Sequence, residues 1–556
     1  MPGGSRRRLE RHRNQKPAKR AGPKRLSPAR GYARLLRGDF SGLVRQERNA
    51  VPTPAPRGPA PPDESAIRRT VADAGQENVL RFWDDLDADG RRRLLAELAE
   101  VNFEEIGRLV RELLVATGDS TRRAESGGFE RNVPNGAGPP GLPKDLQPAP
   151  FVPLPASEAD RRRHREMRDL GETILASGRA AVLTVAGGQG TRLGYEGPKG
   201  AFPIGPVSGR TLFQIFAESL LAARRASGAP IPWYIMTSRA NDRETRDCFE
   251  AHNYFNLPRG DVRFFVQGMM PAVDFAGKLI LADRDRLAWN PDGHGGTLRA
   301  LARTGMLQDL ADRGIEHISY FQVDNPLVPP LDPVFLGFHA DAGSEMSSKR
   351  ASKRDAHEKL GHFCTSGGRL LVVEYSDMPD ELAEARQADG RLRYEAGSIA
   401  IHILARSFVE RLTASAEFAL PFHRARKKIP YVDASGRPRT PGQPNGIKFE
   451  TFIFDALPRA KNPLVLQIDR SREFSPVKNA DGENSPATAR RDMVRLAAAD
   501  LESAGVQVPR GPDGEPKFPV EISPLAARTA DELKDLARRR RLTAVRSPLY
   551  LGPLDA

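Results

Sequence analysis

Two cations, Arg192 and Lys199, sit in and just behind a glycine-rich loop. The stretch is Val185-Ala186-Gly187-Gly188-Gln189-Gly190-Thr191-Arg192-Leu193-Gly194, followed by Pro198-Lys199-Gly200. Glycines directly after a strand let the backbone turn tightly and bring bare N–H groups up to a phosphate. Arg192 and Lys199 add fixed positive charge over the same pocket. Together they describe a nucleotide site that handles a triphosphate and has cations ready for charge that moves, which is an enzyme's requirement. Two commoner loops are excluded. The pattern G-x-x-x-x-G-K-[ST] is absent, because the loop ends in Leu193-Gly194 with no Lys-Ser/Thr pair. The dinucleotide pattern G-x-G-x-x-G starts at Gly188-x-Gly190, but its third glycine arrives one residue late at Gly194, and no acidic residue suited to a ribose follows about 20 residues later.

Other candidates lie at strand ends. The apolar run 318–323 closes on Asp324-Asn325. A carboxylate there, beside a phosphate loop, suits a magnesium ion, which uses one or two carboxylates together with substrate phosphates. Asn290-Pro291-Asp292-Gly293-His294-Gly295-Gly296 is a second glycine-rich loop ahead of a helix, and its backbone suits a base edge or a ribose. Gln267-Gly268 closes a further strand with an amide able to pair with a base.

The elements that must position these residues follow from periodicity. From 65 to 114 apolar residues recur at three- and four-residue spacing (Val79, Leu80, Phe82, Trp83, Leu86, then Leu94, Leu95, Leu98, Val101, Phe103, Ile106), the packing faces of a small helical domain. A polar, Gly/Pro-rich link covers 127–155. Between 160 and 440 short apolar strands (181–185, 233–237, 262–266, 317–323, 370–375) alternate with amphipathic helices, including 211–227 and 242–253. That alternation predicts an α/β fold with a doubly wound, mostly parallel, Rossmann-like central sheet and ligands at the carboxyl ends of its strands. A C-terminal α/β part includes a helix over 488–505. The predicted organisation is a basic, Pro-rich tail over 1–64, a helical domain with its linker over 65–160, a central α/β domain over 161–455 and a C-terminal domain over 456–556.

Charge bounds the partners. The net charge is +14, yet residues 1–50 hold 15 Lys/Arg and 3 Asp/Glu, a net of +12, which leaves +2 for the other 506 residues. The basicity belongs to a tail poor in aromatics, so no specific nucleic-acid partner is expected; loose attraction to polyanions is the most it offers. The tail lacks the apolar core of a secretory signal, and no run of about 18 apolar residues occurs, so no membrane association is expected. Two cysteines, Cys248 and Cys364, make neither a disulfide framework nor zinc spacing. The chain reads as cytoplasmic.

Over about residues 70–530 the chain resembles the eukaryotic-type UDP-N-acetylhexosamine pyrophosphorylases, within the wider UTP:sugar-1-phosphate uridylyltransferases. The resemblance rests on A-G-G-Q-G-T-R-L-G (186–194), P-K-G (198–200), T-L-F-Q-I (211–215), G-M-M-P-A (268–272), V-D-N (323–325), V-V-E-Y-S (372–376), K-K-I-P-Y-V-D (427–433), P-N-G-I-K (444–448), E-F-S-P-V-K-N-A-D (473–481) and V-E-I-S-P (520–524). It implies that Gly187, Gly188 and Gln267 hold the uracil, with Gly293 close by, and that Ala186 and His294 also belong to the nucleotide-binding set. Arg192 and Lys199 clamp the phosphates of UTP, and Asp324 binds magnesium (or manganese). Gly361, Glu374 and Ser398 face the sugar, while Lys448 and Lys478 hold phosphates of the sugar 1-phosphate or the product. Arg192, Lys199 and Lys478 form the catalytic set, and pyrophosphate leaves.

Two substitutions depart from the family's pattern. Its usual G-N-G-G is here Gly293-His294-Gly295-Gly296, and its N-A-G-N is Glu395-Ala396-Gly397-Ser398. Serine is shorter and offers one hydroxyl in place of an amide. Loops of the G-H-G type resemble those of UDP-glucose and broad UDP-sugar pyrophosphorylases, so two enzyme readings stand: N-acetylhexosamine 1-phosphate, or glucose and a wider range of hexoses. A relative without catalysis that binds polyanions through its tail is the third reading, and the intact Arg192, Lys199, Asp324 and Lys478 speak against it.

Overall fold

The computed structural model describes residues 63–115, 129–130, 142–415 and 420–553. The basic tail, the Pro-rich stretch after it and the first half of the 127–155 link fall outside the described residues. Three helices begin the chain: α1 (Glu64–Asp73), α2 (Ala88–Glu100) and α3 (Phe103–Val110). Each starts at a side chain that accepts from its first-turn N–H groups: Asp63, Asp87 and Asn102. The helical pattern read from sequence is present, but these helices close no core alone. Leu94, Leu98, Ile106 and Leu109, at most 2% exposed, pack in one cluster with Val273, Phe422, Ile447 and Phe449 from further along the chain. Each such buried side chain contributes roughly 1.5–3 kcal/mol.

α4 (Glu158–Ala176), started by a reciprocal cap between Ser157 and Asp160, leads into β1 (Ala180–Val185). α5 (Leu212–Ser227) carries the chain to β2 (Trp233–Thr237), and α6 (Asp242–Ala251) carries it to β3 (Val262–Val266). A long excursion containing α7 (Thr297–Arg303) precedes β4 (His317–Gln322). Then follow α8 (Pro333–Asp341), β5 (Met346–Ser352), β6 (His362–Ser366), β7 (Arg369–Val373) and β8 (Ala396–Ala405). β9 (Phe422–Lys427) and β10 (Gly446–Thr451) pair with each other in a separate four-stranded sheet. β11 (Leu464–Gln467) returns to the central sheet beside β5. α4 and α8 touch backbone to backbone: a Cβ on Gly171 would lie 1.9 Å from the carbonyl oxygen of Pro333, and one on Gly337 1.8 Å from that of Met167.

The central sheet runs β7-β6-β8-β4-β1-β2-β3, with β5 and then β11 set beside β8. The α/β class holds, and the β4-β1-β2-β3 half is parallel throughout. Beyond β4 the character changes: β8 runs antiparallel to β4 and to β5, and the 370–375 run forms an antiparallel hairpin strand on β6. After β3 the chain crosses back, so that β4 lies on the other side of β1. That reversal opens a crevice at the carboxyl ends of β1 and β4, the place where a doubly wound sheet holds its ligand.

β11 is a strand of the central sheet, residues 473–477 bond to the turn after β4, and the part of the chain from α9 (Pro486–Ser503) onward follows. It has its own apolar cluster, built on α9, α10 (Ala530–Arg539) and a parallel strand pair, Val520–Ile522 with Leu549–Leu551. Among the described residues no helix is long and apolar enough to cross a membrane.

Candidate active site

The glycine-rich loop leaves the buried end of β1 with its carbonyls tied down. Asn241, 1% exposed, donates to the carbonyls of Ala186 (2.8 Å) and Gly188 (3.1 Å), and the Ser238 hydroxyl donates to that of Gly187 (2.8 Å). Further on, Gly190 N–H bonds Gly197 O at 2.8 Å and Lys199 N–H bonds Gly188 O at 3.0 Å. Among the described residues the N–H groups of Gly187, Gly188 and Gln189 find no backbone or side-chain acceptor. Three consecutive donors held out by a pinned backbone are what an anion or a base edge needs. Ala186, expected among the nucleotide contacts, is the first residue of the loop. Its side chain is fully buried, its N–H donates to Met236 O and its carbonyl takes the Asn241 amide, so it anchors the loop.

Gln267, at the end of β3, lies against the same loop: a Cβ on Gly187 would sit 2.5 Å from its Oε1. The second glycine-rich loop rests on the end of β10, where Thr451 N–H and Oγ1 both donate to Asp292 O at 2.8 and 3.0 Å. Gly293 has a φ of +85°, and a Cβ there would lie 2.3 Å from Thr451 O, so glycine is required. The Asp292 carboxylate is wedged between Gly268 and Gly296, with Oδ1 unpartnered; burial pushes its pKa up to about 6 against the pull of Arg299 and Arg303. His294 stacks on Phe452 with ring centres 5.3 Å apart, and its Nδ1 accepts from Ile453 N–H at 3.3 Å. Burial pushes its pKa down to about 4. The ring is therefore neutral near pH 7, and because Nδ1 accepts, the proton is assigned to Nε2.

The phosphate side is built across the crevice. Gln322 is in register with Val185, so Asp324 emerges beside the start of the loop. Lys199 Nζ lies 3.9 Å from Asp324 Oδ2 and 3.4 Å from Val477 O, and Val477 N–H donates to Asp324 O at 2.8 Å, which brings Lys478 to the same rim. Asn325 fastens this junction: its amide donates to Glu473 O (2.7 Å) and its Oδ1 accepts from Ser475 N–H (3.0 Å). Arg192 and Lys478 are exposed, with no carboxylate within ion-pair distance among the described residues. Lys448, on β10, has its pKa pushed down by burial; Glu450 opposes this, while Lys427 and Arg192 add to it.

The residues expected to face the sugar share one cleft. His294, Asp324, Gly361, Glu374, Ser398 and Lys478 all line it, in a volume of about 190 Å³. Gly361 O accepts from Ser398 N–H at 2.7 Å, and the Glu374 carboxylate packs against Gly361, 3.3 Å from where a Cβ would be. Arg192, Lys199, Lys448, Gly187, Gly188, Gln267 and Gly293 do not line this cleft and form the loop and rim beside it. Among the described residues no group of three or more His, Cys, Asp or Glu could cage a metal. Asp324 offers a carboxylate with no hydrogen bond of its own, which fits a hard cation that takes its other ligands from water and phosphate.

A family model described as UTP–glucose-1-phosphate uridylyltransferase matches residues 153–484. The chain belongs to that family. It is 37% identical over 509 residues to a human UDP-N-acetylhexosamine pyrophosphorylase-like protein 1, covering 88% of this chain and 97% of the relative. It is 36% identical over 455 residues to a UDP-N-acetylglucosamine pyrophosphorylase of Saccharomyces cerevisiae, covering 80% and 92%. Among solved structures, the uridine diphosphate N-acetylglucosamine pyrophosphorylase of Trypanosoma brucei superposes with a TM-score of 0.73 at 26% identity, covering 90% of this chain and all of that one. A UDP-glucose pyrophosphorylase of Leishmania major shares the fold at a TM-score of 0.52 and 17% identity, covering 81% of this chain and 87% of that one.

For a uridylyltransferase of this family, sequence reasoning missed two working side chains, Ser238 and Asn241. Their signal was the S-R-A-N turn (238–241) after β2, which reads as an ordinary turn. It also left Asp292 unassigned inside a loop it had singled out.

Proposed function

We propose that the chain joins UTP to N-acetylglucosamine 1-phosphate, or its galactosamine epimer, forming the UDP-sugar and pyrophosphate. The observation that carries the reading is the pairing of the three unbonded N–H groups at 187–189 with the cation-rich rim of Lys199, Lys448 and Lys478 across the β1/β4 crevice. Similarity at 37% identity over 88% of the chain to an N-acetylhexosamine pyrophosphorylase-like relative supports that sugar over glucose, since the UDP-glucose pyrophosphorylase of Leishmania major is similar at 17% identity.

A phosphate oxygen of the sugar 1-phosphate attacks the α-phosphorus of UTP in line, the bond to the β-phosphate bridge breaks, and pyrophosphate leaves. The attacking oxygen is already ionised, so no general base is needed, and the work is positioning and charge neutralisation. Gly187, Gly188 and Gln267 hold the base; Arg192 and Lys199 hold the triphosphate; Lys448 and Lys478 hold the second anion. Asp324 would hold a magnesium ion, which when bound would neutralise phosphate charge. Glu374, Gly361 and Ser398 orient the sugar, and the neutral His294 presents Nε2–H as a donor.

The test is pyrophosphate release by purified protein with UTP, Mg²⁺ and a panel of sugar 1-phosphates. N-acetylglucosamine 1-phosphate is expected to be the best or joint best substrate. Activity with glucose 1-phosphate and none with N-acetylglucosamine 1-phosphate would overturn the assignment.

A further inference from the structure

The wall of the cleft that carries Gly361 is not held by its own loop alone. Residues 353–361 link β5 to β6, and their last members, Lys359, Leu360 and Gly361, line the cleft. Lys353, 7% exposed, turns back under this loop. Its ammonium donates to Ala356 O (3.2 Å), Leu360 O (3.4 Å) and His362 Nε2 (2.8 Å), which uses all three of its protons. His362 is 1% exposed, and its Nδ1 lies 3.0 Å from Tyr394 O. Because Nε2 accepts from the ammonium, Nδ1 carries the hydrogen and donates to that carbonyl. Burial pushes the pKa of His362 down to about 4, so the ring stays neutral and keeps this tautomer.

The result is a hydrogen-bonded bar that runs from the carbonyl of Tyr394 through His362 and Lys353 to the carbonyl of Leu360. Two backbone bonds cross beside it: Lys353 N–H to Glu395 O at 2.9 Å, and Ser398 N–H to Gly361 O at 2.7 Å. Gly397 allows the close approach, since a Cβ there would lie 2.9 Å from Leu360 Cδ1 and 3.2 Å from Lys353 Cγ. The bar therefore braces the loop end at 360–361 where it is bonded edge to edge to 397–398, and Leu360, Gly361 and Ser398 of that joined edge line the cleft. Neither Lys353 nor His362 lines the cleft.

We propose that Lys353 and His362 are a positioning pair that fixes the placement of the joined Gly361–Ser398 edge in the cleft wall and so sets the affinity and selectivity for the sugar 1-phosphate, without touching it. The inference rests on the functional reading above. It differs from a general structural role because the bar braces one substrate's wall and leaves the glycine-rich loop, held by Asn241 and Ser238, untouched. A misplacement of about 1 Å in a substrate-positioning wall is enough for a large kinetic effect.

The experiment measures KM for each substrate separately in the full-length chain, for Lys353→Met, Lys353→Arg, His362→Phe and His362→Gln, together with melting temperatures. Lys353→Met and His362→Phe are expected to raise KM for the sugar 1-phosphate about 10-fold or more while KM for UTP stays within about 2-fold. Lys353→Arg and His362→Gln, which keep a donor and an acceptor, should recover part of the loss. The ratio of turnover between N-acetylglucosamine 1-phosphate and glucose 1-phosphate should narrow in the two disruptive variants. Equal rises in both KM values, or no rise in either, overturns the proposal; where Lys353→Met fails to fold, the His362 pair decides by the same criterion. The wild-type panel separates the two inferences. If N-acetylglucosamine 1-phosphate is inert, the functional reading fails, and the KM split is then judged with whichever sugar 1-phosphate the wild type turns over.

Discussion

Lys199 Nζ stands 3.9 Å from Asp324 Oδ2, beyond hydrogen-bond distance, with the carbonyl of Val477 at 3.4 Å. Cation and carboxylate face the same crevice without closing on each other, which leaves both available to a charged ligand. Asp324→Asn keeps the shape and removes the charge. Turnover is expected to fall on the order of 10²-fold, and the magnesium concentration for half-maximal rate to rise. The melting temperature should barely move, because the carboxylate makes no hydrogen bond among the described residues. A magnesium titration of initial rates measures this; an unchanged midpoint with near-normal turnover would remove Asp324 from the site.

Asn241 ties two loop carbonyls with its amide, and its Oδ1 accepts from Ser238 N–H at 2.9 Å. Asn241→Ala leaves the Ala186 carbonyl unpaired, at about 1–3 kcal/mol, removes one of the two donors to that of Gly188, and frees the glycine-rich loop. Asn241→Asp is the sharper variant, because a carboxylate cannot donate to those carbonyls. Both should raise KM for UTP, the aspartate at least as much as the alanine. If KM for UTP holds in Asn241→Asp, the clip has no part in nucleotide binding.

Asp292 is titrated by its surroundings. Its carboxyl is raised from the ordinary 3.8 to about 6, first by burial, so the folded chain binds a proton more tightly than the unfolded one between those values. Stability linked to this group is fully present below pH 4 and is lost as the pH rises through 6. The ceiling is about 3 kcal/mol at neutral pH. Asp292→Asn cannot ionise, so its melting temperature relative to wild type should climb between pH 4 and pH 7 and then level off. A difference that stays flat with pH would show that Asp292 is not buried as a charge.

The parallel half of the sheet was legible because β1 to β4 are short, apolar-rich runs followed within two residues by glycine or a polar side chain (Gly187, Ser238, Gln267, Asp324). The other half was not. β5 reads Met-Ser-Ser-Lys-Arg-Ala-Ser, yet Lys349 and Arg350 are 1% exposed. Lys349 is held by Asp332 (2.6 Å) and Glu473 (2.5 Å), and Arg350 by Glu395 and the face of Phe151. A strand buried through ion pairs from distant segments has no hydropathy signature, since its partners are not neighbours in the chain. The candidate site divides the same way. The loop, Asp324 and Lys478 carry motifs, whereas Asn241 and the Lys353–His362 bar are ordinary residue types whose work appears only when their acceptors are known.

None of the site residues lies before Glu64, and the charge there is spread without aromatic interleaving. Removing residues 1–62 is therefore expected to leave kcat and both KM values unchanged. Steady-state rates of the truncated chain at low and moderate salt check this. A loss of activity restored by adding the tail back would give those residues a part in catalysis.

Arg192 and Lys478 approach the crevice from its two walls, Arg192 from the loop after β1 and Lys478 from the segment bonded to Asp324 through Val477. Both are exposed, and neither has a carboxylate within reach among the described residues, so the fold does not use their charge. Lys349 is the contrast: removing its ammonium leaves Asp332 and Glu473 buried and unpaired, a loss of several kcal/mol. Arg192→Ala and Lys478→Ala should thus melt like wild type and lose turnover on the order of 10²-fold, the typical effect of deleting one group aimed at transition-state charge. Lys349→Met should lose stability first, and activity with it. Steady-state kinetics beside thermal melts separate the two classes. Near-normal kcat in either exposed variant would take that residue out of the catalytic set, and a drop in melting temperature as large as that of Lys349→Met would assign it to the fold instead.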